Sequence, residues 1–502
     1  MKSILKATAI LSSASAVSIA MGVVSAKILS VLLGPSGMGY MGLLQSVLGL
    51  SVMIAGMGVG AGIVRSGAPA LQQNDAKAEA ALRTGAWILF LLIGGITAML
   101  LILLRASVSR AMLGDVRHEG AVVIITAGVL LTMAAGILSS ILNAHHRVSE
   151  LARLAILNSI FGVACTVLII WKWQARGIVW AVLAGCLINW AVSFYYARKS
   201  TPRPTVQVSG REAWSAARTL LRFGGPYTAS MLVGAGTLLV LPILVLHALG
   251  TENVGFYRAA AAISVNYLGF LIAAMAQDYY PRVSAVSNNP EQLCRLINEQ
   301  HRLLLLIAAP IILGMLALVP YLVPLVYSPK FVPATALLEW QLIGDILKFG
   351  AWTMSFVILA RSGSLVFFLI EFIGGATMLL FSWIGMRWLG LEGLGLGFVG
   401  CCTVYYIVCL IILRRDIALR WSKTNLLIFL AAIAFAVVVR VLPYIGLIHL
   451  RTPLALILAA LAASVSVYVI WGELGGVQAI LKRRSTPTQS GEEAIAPAPN
   501  LQ

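Results

Sequence analysis

The chain has 502 residues, of which 60% are hydrophobic and 11% charged, with a mean hydropathy of +0.93. Charge at less than half the roughly 25% usual for soluble domains excludes an ordinary soluble protein, because so apolar a chain could not cover its surface with polar groups. The net charge of +18 is the cation excess expected of connecting segments held on the cytoplasmic side of a membrane, and nucleic-acid binding is set aside. The six cysteines (Cys165, Cys186, Cys294, Cys401, Cys402 and Cys409) have no metal-type spacing beside histidine or carboxylate and read as reduced packing residues.

A membrane-crossing helix needs about 20 mainly apolar residues. Fourteen such runs are read in chain order. Six lie at 8–33, 38–63, 84–104, 120–143, 151–171 and 176–197; six more at 223–249, 254–277, 303–327, 334–360, 364–388 and 393–413; and two at 424–446 and 452–472. The fold expected is all-α and polytopic, two six-helix bundles (1–197 and 223–421) related by a pseudo-two-fold repeat, plus two extra helices within 422–472. The first run is too long for a signal peptide's apolar core and carries Lys27, so it reads as an uncleaved helix. With the N-terminus inside, 24 of the 36 Lys and Arg fall on the inner face, which favours both termini in the cytoplasm. The stretch 198–222 has six basic residues and two prolines, as a cytoplasmic linker would, and 473–502 reads as a disordered tail.

An internal repeat is visible at an offset of 216 residues. Leu33, Gly34, four residues, then Gly39 and Tyr40 match Leu249, Gly250, four residues, then Gly255 and Phe256. The same offset carries Gly177 onto Gly393, and Arg198 with Lys199 onto Arg414 with Arg415. Each repeat holds an even number of helices, so the bundles enter the membrane in the same sense, related by an axis along its normal with a cavity between them. The glycine-aromatic motif itself reads as a tight turn with an interfacial ring.

Ionisable groups at bilayer depth are costly and tend to face a cavity or a partner. Lys27 lies about 10 Å from the outward end of the first helix, near enough to snorkel. Asp345 and Lys348 lie roughly 18 and 22 Å deep in the tenth helix, near the midplane. Gln341, Asp345, Lys348 and Trp352 share one helical face, which reads either as a neutralised structural pair or as the polar wall of a substrate cavity. Glu371, roughly 12 Å into the eleventh helix, is placed for an ion pair or for ion coupling. The pair His145 and His146 ends a helix on the inner side, where adjacent side chains diverge, and no metal site is expected. The cluster from Asp278 to Arg282 reads as an interface anchor or a gate. No nucleotide-loop, zinc-protease or nucleophile-elbow motif is present, which points to a transporter and not an enzyme, with no cofactor.

Several segments resemble the Wzx-type flippases of the polysaccharide transporter family, within the multidrug/oligosaccharidyl-lipid/polysaccharide exporter superfamily. They are SAKILSVLLGPSGMGYMGLLQ (25–45), AGMGVGAGIVR (55–65), ILNAHHRVSELARL (141–154), ENVGFYRAAAAIS (252–264), QDYYPRVS (277–284) and YSPKFVPATALLEWQLIGDILKFGAW (327–352). The resemblance is strongest to translocases of enterobacterial-common-antigen and O-antigen lipid intermediates. It implies translocation of an undecaprenyl-diphosphate-linked oligosaccharide from the cytoplasmic to the periplasmic leaflet of a bacterial inner membrane, alongside a polysaccharide polymerase and a chain-length regulator. It also implies site roles: Lys27 and then Lys348 for the diphosphate or an acidic sugar; Asp345 and Gln341 for sugar hydroxyls; Arg258, Arg282 and Arg147 for guiding the head group at the mouths; and Asp345 or Glu371 for ion coupling. A drug/cation antiporter, a lipid II flippase and a non-transporting assembly scaffold are the rival readings.

Overall fold

The computed structural model describes residues 2–73, 75–201, 206–361 and 363–473, so the expected tail lies outside the described residues except for its first position. Sixteen α-helices run in chain order: α1 (Lys2–Gly56), α2 (Val59–Gln72), α3 (Ala76–Leu89), α4 (Gly95–Leu103), α5 (Arg105–Leu113), α6 (Glu119–Ala144), α7 (Val148–Trp173), α8 (Ile178–Ser200), α9 (Gly210–Leu249), α10 (Thr251–Ala261), α11 (Leu268–Ala285), α12 (Pro290–Val326), α13 (Ala334–Arg361), α14 (Gly363–Ile417), α15 (Lys423–Val441) and α16 (Ile448–Glu473). No strand occurs among the described residues.

Ten stretches are long and apolar enough to cross a bilayer. Three of them, Ser13–Gly56, Val148–Ser200 and Leu365–Ile417, are 44, 53 and 53 residues long. At 1.5 Å per residue each far exceeds a hydrocarbon core of about 30 Å, so each accommodates two of the spans read in the sequence. The breaks lie where the backbone leaves helical geometry: Gly34 (φ 66°, ψ −174°), the 3₁₀ turn Gln174–Gly177, and Gly390 (φ 58°, ψ −131°). The span at 254–277 is built from α10 and α11, joined by a π-helical turn at Ala262–Tyr267. The chain is a multi-pass helical membrane protein.

Two boundaries differ from the expected ones. The span 38–63 is cut at Met57 and Gly58, both at positive φ, after which α2 continues to Gln72. The linker expected at 198–222 is helical from Gly210, because Ser209 and Glu212 form a reciprocal capping box and Ala213, Ala217 and Leu220 are buried. A Cβ on Gly85 of α3 would stand 2.8 Å from the Ala213 carbonyl and 2.8 Å from the Ala217 amide, so the first turns of α9 lie directly on the first bundle.

The 216-residue repeat is written into the backbone. Gly34 and its counterpart Gly250 (φ 89°, ψ 173°) share a conformation that is almost exclusive to glycine. Gly39 packs against the Thr251 carbonyl and the Gly255 amide, while Gly255 packs against Pro35. Adding 216 to 35 and 39 gives 251 and 255, so the contact is reciprocal, as an interface on a two-fold axis must be. The motif is therefore where α1 and α10 touch across the axis, in addition to being a turn. The rings beside it also correspond: Tyr40 lies on His118 at 4.7 Å, and Phe256 on Phe331 at 5.8 Å.

Candidate functional site

Between the halves, α1, α9, α10 and the residue after α12 enclose a cavity of about 350 Å³. Ser25, Gln45, Tyr257, Arg258 and Tyr327 supply its polar groups, and Met38 and Met41 part of its apolar wall. Arg258 dominates its electrostatics. Its Nη2 donates to the Gly42 carbonyl at 2.5 Å and to Ser46 Oγ at 2.7 Å, whereas its buried Nε has no partner. Gly42 is the repeat counterpart of Arg258, and a Cβ there would come within 2.9 Å of the guanidinium, so the glycine makes room for the cation. The sequence reading put Arg258 in an outward loop at the cavity mouth. The structure corrects this: α10 starts at Thr251, so Arg258 is two turns into the helix and packs on α1.

Lys27 flanks the same cavity beside Ala26. Its Nζ donates at 3.1 Å to the carbonyl of Pro324 in the last turn of α12. A cation on the negative end of a helix whose last carbonyls lack intrahelical partners is favoured by both charge and hydrogen bonding. Lys27 thus ties the first bundle to the second, three residues before the cavity-lining Tyr327.

The tenth-helix face sits elsewhere. Asp345 on α13 is fully buried inside the second bundle, accepting from Ser264 Oγ at 2.6 Å and from Lys348 Nζ at 3.3 Å. Lys348 is partly exposed and lies 6.0 Å from the Phe398 ring. Gln341 is buried with its Oε1 unpartnered, and Trp352 packs on Tyr279 and Phe356. This face lines no described cavity; Asp345 and Lys348 form a local pair that binds α13 to the π-helical turn. Glu371 on α14 accepts from the Tyr405 hydroxyl at 2.6 Å, and its other oxygen is 3.6 Å from where Gly234 of α9 would carry a Cβ. Arg282 is committed to Asp278 at 2.6 Å and Gln300 at 3.2 Å, and Arg147 is exposed at the start of α7. Of the candidates, only Arg258 and Lys27 come together at the inter-half cavity.

A second charged assembly escaped the sequence reading, which placed Arg440 and Arg451 in outward loops. Both lie in helices. Arg440 on α15 holds Glu339 of α13 at 3.1 Å and Glu392 of α14 at 2.9 Å, and donates to the Tyr444 hydroxyl. Arg451 on α16 pairs with the other oxygen of Glu339. Glu339 and Arg440 are only 2% and 4% exposed, so this network pins the two extra helices to the second bundle. A carboxylate and two arginines falling within or beside apolar spans were the available signal.

The fold and this geometry can be set beside known proteins. The chain is 23% identical over 411 residues to the lipid III flippase of Escherichia coli (strain K12), a match covering 81% of this chain and 96% of that one. Its fold matches the lipid II flippase MurJ in an inward closed conformation, with a TM-score of 0.69 at 14% identity, covering 94% of this chain and 99% of the other. It also matches an inward-facing multidrug resistance MATE family transporter of the MOP superfamily, with a TM-score of 0.65 at 17% identity, covering 79% and 94%. These relatives are flippases and transporters, as the lack of enzymatic motifs led one to expect, and the two structural matches establish a fold of the MOP type. A family described as polysaccharide biosynthesis protein matches residues 28–336, well over half of the chain. The chain belongs to that polysaccharide biosynthesis protein family.

Proposed function

We propose that the chain is a flippase that carries an undecaprenyl-diphosphate-linked oligosaccharide from the cytoplasmic to the periplasmic leaflet of the inner membrane by alternating access, with both termini in the cytoplasm. The observation that carries this reading is the cavity between the halves, with Arg258 in its wall and Lys27 at its flank. A diphosphate and its sugars cannot cross hydrocarbon bare, and a polar, cationic cavity shields them while the prenyl tail stays in lipid.

The two cations suggest how binding leads to opening. Each now spends hydrogen bonds on a carbonyl of the opposite half: Lys27 on Pro324 and Arg258 on Gly42. A diphosphate offers them charged acceptors, which form stronger hydrogen bonds than neutral carbonyls. Substrate that draws Lys27 and Arg258 onto itself loosens the contacts between α1, α10 and α12, and so binds the parted state better than the closed one, as a ligand must to shift the equilibrium. Ion coupling through Asp345 or Glu371 is compatible with this cycle but is not required by it.

A water-soluble probe, farnesyl diphosphate, tests the site on purified protein. Wild type is expected to bind it, and Arg258→Gln and Lys27→Gln each to bind about tenfold or more weakly, since one hydrogen bond to a charged group contributes about 1.5–3 kcal/mol. Equal binding by all three proteins, each folded, contradicts the assignment. The lipid II flippase reading is the second to keep. The MurJ match leaves only 6% of this chain unmatched (100 − 94), so it reaches into the segment holding α15 and α16, whereas the match to the lipid III flippase leaves 19% (100 − 81). Arrest of peptidoglycan synthesis on deletion selects it.

A further inference from the structure

Away from the inter-half cavity, α3, α6 and α8 of the first bundle leave a crevice of about 400 Å³. It opens where α3 begins and α8 ends, beside the cation-rich connecting segments. Its walls have a graded character. Arg83 and Trp87 of α3 are four residues apart, as are Phe194 and Arg198 of α8, so each helix presents an arginine at its end and an aromatic ring one turn deeper. Leu138 of α6 forms the floor.

The two arginines differ. Arg83 is positioned by Glu79 at 2.5 Å, with His145 at 3.2 Å from the same carboxylate oxygen, so its charge is balanced locally. Arg198 is exposed and makes no hydrogen bond or ion pair among the described residues, which leaves it as the uncompensated cation of the crevice. Phe194 is 44% exposed beside it. A cation at the mouth above an aromatic and aliphatic trough fits an amphiphile with an anionic head and a hydrocarbon tail.

We propose that this crevice binds an anionic phospholipid of the surrounding bilayer, with its phosphate on Arg198 beside Arg83 and one acyl chain against Trp87, Phe194 and Leu138. The crevice is built from one bundle only. Its occupant stays bound while the halves move, bracing α3 against α8, and is distinct from the transported lipid.

The test melts purified wild type and Arg198→Gln in neutral detergent with short-chain phosphatidylglycerol, short-chain phosphatidylcholine or inorganic phosphate. Phosphatidylglycerol is expected to raise the Tm of wild type, the other two not. In Arg198→Gln the unliganded Tm is unchanged and about tenfold more phosphatidylglycerol is needed for the same shift, whereas Arg198→Lys retains most of the response. An equal shift by phosphatidylcholine would show an apolar groove only, and an equal shift by inorganic phosphate a free anion site; either overturns the proposal. So does an unchanged phosphatidylglycerol response in Arg198→Gln. Farnesyl diphosphate binding at Arg258 and Lys27 is read separately, so either proposal can fail without the other.

Discussion

Alanine at Gly255 is expected to part the two halves where α1 meets α10, and alanine at Gly39 to do the same. At each position the added methyl meets backbone of the other half: Pro35 for Gly255, Thr251 and the Gly255 amide for Gly39. A flexible side chain could swing aside, but backbone cannot, so relief comes only from separating the helices. Overpacking of this kind costs about 1–3 kcal/mol. Spent against the closed arrangement alone, it raises the parted population about tenfold for every 1.4 kcal/mol. The readout is labelling of a Gln45→Cys reporter inside the cavity by a membrane-impermeant thiol reagent, with the six native cysteines replaced. Labelling from the side opposite the basic connectors is expected to quicken about tenfold in Gly39→Ala and Gly255→Ala. Gly185→Ala is the control, because nothing lies within 4 Å of its added Cβ. Unchanged labelling in both tight-glycine variants would show that this contact does not gate the cavity.

Arg440→Met is expected to be the most destabilising single substitution outside the cavity. The guanidinium lies between two carboxylates from different helices, Glu339 at 3.1 Å and Glu392 at 2.9 Å, and is 4% exposed. Its removal leaves Glu339 to Arg451 alone and Glu392 to Tyr444, with the repulsion between the two carboxylates no longer screened by a shared cation. Breaking a buried ion pair from one side costs about 3–5 kcal/mol, because the remaining charge is stranded away from water. The expected result is a Tm lower by roughly 5 °C or more, with early proteolysis between α14 and α15 as the extra helices undock. Arg117→Met serves as the contrast. Its pair with Asp115 spans 3.8 Å with the arginine side chain 91% exposed, and such surface pairs contribute about 0–1 kcal/mol. A Tm for Arg440→Met that matches that of Arg117→Met contradicts the structural role of the network.

The apolar spans and the repeat were legible in the sequence because both are local patterns. Hydropathy counts residues along the chain, and an offset of 216 needs only identity at matching positions. What the repeated glycines do was not legible. Gly39 and Gly255 touch each other's neighbours across an axis, a relation that exists only once both halves are folded. Hydropathy also runs straight through Gly34 and Gly390, because a change in φ and ψ leaves apolarity untouched. Arg258 was misplaced for a related reason. Counting Lys and Arg near span ends assigns them to loops, yet two helical turns separate Arg258 from the start of α10. Arg440 and Arg451 were misassigned because their partner Glu339 lies about a hundred residues away in sequence. Asp345 and Lys348 were paired correctly, since three residues apart on a helix is a local relation, but which way that face points is set by packing against Ser264.

The central claim is tested most directly by labelling the lipid-linked oligosaccharides of cells that lack this chain. The account predicts that a glycosylated undecaprenyl-diphosphate accumulates in a form protected from periplasmic probes. Wild-type chain is expected to clear it, and Arg258→Ala and Lys27→Ala, inserted normally in the membrane, to leave it. No accumulation in the deleted cells, or full clearance by both variants, contradicts the account.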